Sequence, residues 1–143
     1  MAFEIGQRSV EGITILALEG RLVAGAAVSD LRTLFDTFVS EDIHNVVLDL
    51  ARVQYIDSSG LGILVAGHTL MHNAGGALKL LNLSGRSAQL LVLTRISTLF
   101  EIFDDERAAI NSFFPDREVR RFDILEFVKS QEQQDNNPGG NES

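Results

Sequence analysis

The chain has 143 residues, 45 % of them hydrophobic and 22 % charged, and a formal net charge of -8. That length supports one self-sufficient core, and the composition is that of a globular chain rather than a disordered or fibrous one. The acidic balance and the scattering of the 12 basic residues argue against a nucleic-acid surface. The absence of cysteine excludes disulfides, thiolate metal sites and cysteine nucleophiles, and fits a reducing compartment. No basic-then-apolar leader opens the sequence. Its most apolar stretch, Gly60 to Gly67, falls far short of the roughly 20 residues a spanning helix needs. The expected location is therefore the cytoplasm, with no membrane association.

In chain order, Phe3 to Arg8 and Ile13 to Leu18 read as two strands joined through Ser9-Val10-Glu11-Gly12, a β-hairpin. From Val28, the residues Val28, Leu31, Leu34, Phe35, Phe38 and Val39 fall on one helix face, with Asp30, Arg32, Thr33 and Asp36 opposite. Val46 to Leu50 is a β-branched apolar run and predicts a buried, central strand. A second helix is expected from Asp57-Ser58-Ser59 to about His72, closed by Asn73-Ala74-Gly75-Gly76. Ala77 to Leu83 follows as a strand. Ser84 is a candidate N-cap for a third helix carrying Ala88, Leu91 and Val92 and ending near Arg95.

Phe100 to Phe103 predicts a last strand, and Asp105 to Phe114 a last helix stopped by Pro115. The order ββαβαβαβα implies an α/β domain over residues 1–115 with a mixed sheet, its parallel strands joined by right-handed crossovers. Residues 116–130 keep a rough helical stripe through Val119, Phe122, Leu125 and Val128, so an extra helix is expected there; Phe122-Asp123-Ile124 suits a strand almost as well. Residues 131–143 are polar and are expected to form a disordered tail.

The most informative stretch is Asp57-Ser58-Ser59-Gly60-Leu61-Gly62, placed where strand gives way to helix. Asp and Ser there have an ordinary use as caps for the unpaired N–H groups of the first turn. A cap needs one such residue, however, and here three precede Gly60, with a further helix-disfavouring glycine at Gly62. Small residues at that point suit close approach by a partner. The turns that follow carry Leu61, Ile63, Leu64, Val65, Ala66 and Leu70, more apolar surface than one core-facing stripe uses.

This segment resembles the phosphorylation motif of the STAS-domain anti-sigma-factor antagonists, in which Asp-Ser-Ser-Gly-Leu-Gly follows the central strand. The resemblance runs from residue 3 to about 114. It takes in Ile13 to Leu22, Val46 to Leu50, Gly75-Gly76 before Leu78 to Leu83, and Leu99 to Asp104. It implies a STAS-like fold and a binding protein rather than an enzyme, with no cofactor. Ser58 is the implied phosphoacceptor, and Asp57, Ser59, Gly60, Leu61 and Gly62 the implied partner contacts. The implied partners are an anti-sigma factor with serine kinase activity, captured by the unphosphorylated form, and a serine phosphatase that resets the switch. The alternative within the fold is a constitutive STAS scaffold or a subunit of a lipid-transport complex. Val23 stands where the family commonly has an Asp, so an acidic loop contact is absent.

Other constellations are weaker. His68 and His72 would share a helix face, but no third ligand completes a metal site. Ser58 and Ser59 do not sit in a Gly-x-Ser-x-Gly elbow, so a small hydrolase built on Asp57 and Ser58 has no evident base. Gly60 and Gly62 fall short of a dinucleotide fingerprint. The phenylalanines at 35, 38, 100, 103, 113 and 114 are expected in packing roles.

Overall fold

A computed structural model describes residues 3–135. Glu11 and Gly12 both adopt positive φ, 53° and 83°, the mirror-image turn whose twist matches two strands joined by two residues. It links β1 (Glu4–Val10) to β2 (Ile13–Leu22), paired antiparallel from Val10↔Ile13 out to Glu4↔Glu19. After α1 (Ala26–Ser40), β3 (Asn45–Ile56) joins β2 in parallel. Then come α2 (Ser58–Asn73), β4 (Ala77–Leu81) and α3 (Gly85–Leu93). A 3-10 turn at Ile96–Leu99 leads into the two-residue β5 (Ile102–Phe103), and α4 (Glu106–Asn111) and α5 (Ile124–Asp135) complete the described chain.

The sheet runs β1-β2-β3-β4-β5, antiparallel at its first pair and parallel thereafter, which makes β3 the central strand. The parallel strands are laid down in strict sequential order, and crossovers of the usual right hand then put α1, α2 and α3 on one face. That face holds the main core, with Leu16, Leu18, Leu48, Leu50 and Leu80 of the sheet against Phe35, Phe38, Ile63, Leu64 and Leu91 of the helices. The other face is covered over part of its length: Ile13, Ile15, Val47, Leu81 and Phe103 pack on Ala109 and Ile110 of α4, with Phe113 and Phe114 at the margin.

Several boundaries depart from the sequence reading. Strand β3 runs to Ile56, six residues past Leu50. Strand β4 stops at Leu81 because Asn82 turns to φ 62°. Helix α3 ends at Leu93, two residues before the left-handed Arg95 (φ 64°), and the following turn shortens the expected last strand to Ile102–Phe103. Helix α4 occupies only Glu106–Asn111 of the expected Asp105 to Phe114. Val39, expected on the inner face of α1, is 41 % exposed.

Beyond Pro115 the two readings divide one segment. The Phe122 amide donates to the Ile102 carbonyl at 3.3 Å, a sheet-like bond at the β5 edge, and helix begins two residues later. That helix includes residues 131–135, which corrects the expected start of the tail; residues 136–143 lie outside the described residues.

Leu48 and Leu81 are fully buried, on opposite faces of the sheet. A carboxylate at either site would be ionised without a partner in an apolar layer, a penalty of several kcal/mol against a total stability of about 5–15 kcal/mol. Leu48→Asp and Leu81→Asp are each expected to abolish the cooperative thermal transition followed by circular dichroism. A native-like melt for either would overturn the strand assignment.

Candidate functional site

Strand β3 delivers the site. Its inward residues run Val46, Leu48, Leu50 and then Val53 and Ile56, a change from every second to every third residue. The cause lies in the pairing with β2, whose register slips between Ala17 and Glu19 and again between Gly20 and Arg21. Such slips bend and re-aim a strand. They leave Ile56 buried, and Asp57 emerges at the carboxyl edge of the parallel strands, where open α/β sheets carry their sites.

Asp57 is the N-cap of α2, with extended backbone and Oδ1 accepting from the Gly60 N–H at 2.8 Å. Its Oδ2 accepts from the Ala24 N–H, 3.0 Å away in the loop between β2 and α1. These two donors, Ala24 first and Gly60 second, hold the carboxyl below its usual range. The stability these bonds give to the ionised carboxylate is therefore fully present above the ordinary carboxylate range and is lost as pH falls through the depressed pKa.

The first turn of α2 sorts the candidate residues by direction. Ser58, Ser59 and Gly62 are exposed; Gly60 and Leu61 are buried and face the protein's own interior. A Cβ at Gly60 would collide with the Leu22 carbonyl oxygen and lie 2.8 Å from Cγ2 of Ile56. The close approach that this glycine permits is thus internal. At Gly62 an added Cβ meets nothing within 4 Å, so it leaves open surface. The apolar surplus of α2 is also largely used: Leu61, Ile63 and Leu64 are buried, and Ala66 and Leu70 pack half-buried against the core. Gly67 lets α1 approach, since a Cβ there would lie 2.5 Å from Phe35 Cε2.

Two participants have no signature in the sequence, the Leu22 carbonyl and the Ala24 amide, because the backbone carries their role. Beside the site, Tyr55, Ile56, Arg86, Leu90 and Leu93 line an open, mainly apolar groove of about 220 Å³. His68 stacks on His72 at 6.1 Å and meets the edge of Phe100 at 5.3 Å, which gives it a packing role. Among the described residues no three His, Asp or Glu side chains come together as a metal-binding group. No described helix is long and apolar enough to cross a membrane.

The architecture is a single mixed-sheet α/β domain that exposes two serines on the first turn of a helix. Residues 5–109 match the STAS domain family, and the chain belongs to it. The anti-sigma F factor antagonist of Paenibacillus polymyxa is 24 % identical over 110 residues, covering 77 % of this chain and 94 % of that protein. Among solved structures, an anti-sigma factor antagonist from Mycobacterium paratuberculosis superposes with a TM-score of 0.67 at 17 % identity, over 78 % of this chain and 94 % of that one. The Bacillus cell fate determinant SpoIIAA, in its phosphorylated form, gives 0.61 at 20 % identity, over 78 % and 98 %. At these identities the structural likeness speaks to the shared fold.

The two glycines should respond oppositely to alanine. Gly60→Ala forces a backbone carbonyl and Ile56 apart and is expected to cost about 1–3 kcal/mol in chemical denaturation. Gly62→Ala lies on an exposed helical face and should gain up to about 1 kcal/mol from helix propensity. Equal effects of the two substitutions would contradict this division of the turn.

Proposed function

We propose that the protein is an anti-sigma-factor antagonist that acts in the cytoplasm as a phosphorylation switch. Unphosphorylated, it captures an anti-sigma factor that is also a serine kinase and so releases a sigma factor. Phosphorylated at Ser58 it lets go, and a serine phosphatase resets it. The observation that carries this reading is the position of Ser58: exposed, on the first turn of α2, directly after the capping Asp57 and on the same helix face as the open Gly62. A kinase can reach that hydroxyl without disturbing the core. Membership of the STAS family and the names of the relatives favour the same conclusion.

The switch works through charge and bulk. Phosphate adds about -1.5 to -2 charge at pH 7 and three acceptor oxygens to a surface of serine and glycine. A helix N-terminus accommodates an anion, so the domain stays folded and the partner is excluded. The neighbouring groove between Tyr55 and Leu93 offers apolar area for a protein contact, and Leu93 is 78 % exposed. The function needs no cofactor and no reaction catalysed by this chain.

Ser58→Ala is expected to bind the kinase and stay bound in the presence of ATP. Ser58→Asp should fold normally but bind at least about tenfold more weakly, equivalent to about 1.4 kcal/mol. It mimics phosphate incompletely, because a carboxylate carries less charge and fewer oxygens. Ser59→Ala should still accept phosphate. Mass spectrometry after incubation with the kinase and ATP reads the site directly. Phosphate on Ser59 but never on Ser58, or equal affinity for the two Ser58 variants, would sink the switch; partner binding indifferent to ATP would point to a constitutive scaffold.

A further inference from the structure

The sheet has two edges, and the chain treats them differently. At β5 the Phe122 amide and the Arg121–Glu101 pair lie over the outer side. Strand β1 has no such cover: it is seven residues long, contains no proline, pairs with β2 without a register slip, and exposes Glu4, Gly6, Gln7, Arg8 and Ser9. The hairpin fixes which of its backbone groups face outward. The two-residue turn makes Val10 and Ile13 a hydrogen-bonded pair, so by alternation Glu4, Gly6 and Arg8 bond to β2, while the N–H and C=O groups of Ile5, Gln7 and Ser9 point away from it. Among the described residues no other strand or loop takes these groups up. A long, regular edge of this kind is a template for another strand.

The charges on β1 specify which strand. Glu4 stands directly opposite Glu19 in the β1–β2 pair, a like-charge arrangement that disfavours the pairing. Glu19 has Arg52 3.9 Å away on β3, but among the described residues Glu4 makes no ion pair. Beside it lies an open pocket of about 300 Å³ lined by Glu4, Gly6, Ala17, Glu19 and Arg52. Arg8 lies on the same face of β1 as Glu4 and pairs with Glu106, and its guanidinium has donors to spare. When a second β1 is laid antiparallel with a two-fold axis at Gly6, Ile5 exchanges main-chain bonds with Gln7 of the other copy, and Glu4 falls opposite Arg8 on both sides of the axis. These are non-hydrogen-bonded positions, where facing side chains come closest. An axis at Ile5 would put Glu4 opposite Gly6, and one at Gln7 would put Arg8 opposite Gly6, so the Gly6 axis is the one that pairs the charges.

We propose that β1 is a self-association edge: two copies of this chain join β1 to β1, antiparallel about Gly6 and through Glu4–Arg8 pairs across the two-fold, into one continuous sheet. The contact is one strand wide, well below the area of a permanent interface, so the dimer forms and dissolves with concentration. None of residues 57–62 lies on this strand, which makes the association separable from events at Ser58.

Sedimentation velocity on the full chain between about 10 µM and about 1 mM should show monomer giving way to dimer. Over the same range the Ile5 and Gln7 amides should come to exchange at least about tenfold more slowly. Glu4→Arg and Arg8→Glu each set like charges face to face across the axis, so each variant alone should stay monomeric. Mixed in equal amounts, the two variants carry opposite charges at every facing position and should form the dimer that neither forms by itself. Gln7→Pro removes an outward N–H and spares the bonds to β2; it should melt within a few degrees of the parent and remain monomeric. A parent chain still monomeric at about 1 mM, a dimer that survives Gln7→Pro, or a mixture no more associated than its two components would overturn the proposal.

Discussion

Burial of β3 on both faces is the constraint from which the other features follow. Val46, Leu48 and Leu50 are sealed by the helices on one side and Val47 by α4 on the other, each at most 1 % exposed. A strand so enclosed cannot slip, because a shift of one residue would turn its main-core residues to the wrong face. Its neighbours are fixed in turn: β2 and β4 pair with it in parallel, and sequential order then sends all three crossover helices to one layer. The β3–α2 junction inherits this rigidity. A serine there is presented from the best-anchored strand, although its own hydroxyl lies at the surface.

The opposite layer is thinner and is held by different means. Helix α4 has six residues and buries Ala109 and Ile110, so polar contacts supplement packing. Lys79 is the centre of these. Its ammonium is nearly enclosed, donates to Ser112 Oγ at 2.9 Å and the Ser112 carbonyl at 3.2 Å, pairs with Glu101 at 3.1 Å and lies 4.2 Å from the centre of the Phe113 ring. A buried cation needs this degree of compensation, and removing any one partner would be costly. Burial works against the charge of Glu101, but Arg121 and Lys79 outweigh it and hold that carboxyl below its usual range. Exposed pairs of Glu11 with Arg107 and of Arg8 with Glu106 tie the hairpin to α4, and a pair of Glu11 with Arg117 ties it to the segment that follows; individually such pairs contribute little. On the far side the Arg121–Glu101 pair and the Phe122 amide cover the open edge of β5, which would otherwise be a template for unwanted strand pairing.

What could be read from the sequence was what periodicity and capping encode. The three-and-four spacing of α1 reflects one buried face and the β-branched run Val46 to Leu50 a strand buried on both, and these elements appear where expected, whereas β2 starts at the expected Ile13 but runs four residues past Leu18 to Leu22. The Ser84 cap is present, accepting from Ser87 N–H at 3.1 Å. The second half of β3 was illegible because two register slips broke its two-residue period, leaving Ala51, Arg52, Gln54 and Tyr55 outward. Asn82 and Arg95 end elements by adopting positive φ without being glycine, a choice set by tertiary context. Lys79 reads as a surface residue in any scan of hydropathy, and only the return of Ser112 and Glu101 over the sheet makes it an interior one.

The segment 57–62 shows why a motif that resembles a contact list need not be one. Six consecutive residues on a turn of 3.6 cannot all face a partner. Ser58 and Gly62 are four apart and share the outer face, whereas Gly60 and Leu61 fall on the inner one. Asp57 stands before the helix and turns its oxygens to backbone amides. The constraint on Gly60 is steric and comes from Leu22, that on Leu61 is burial, and that on Asp57 is electrostatic. Only Ser58, Ser59 and Gly62 are left free of structural duty by these contacts. A change of charge confined to them leaves the cap, the core and the β2 junction untouched, which allows such a surface to be rewritten while the fold beneath it stays the same.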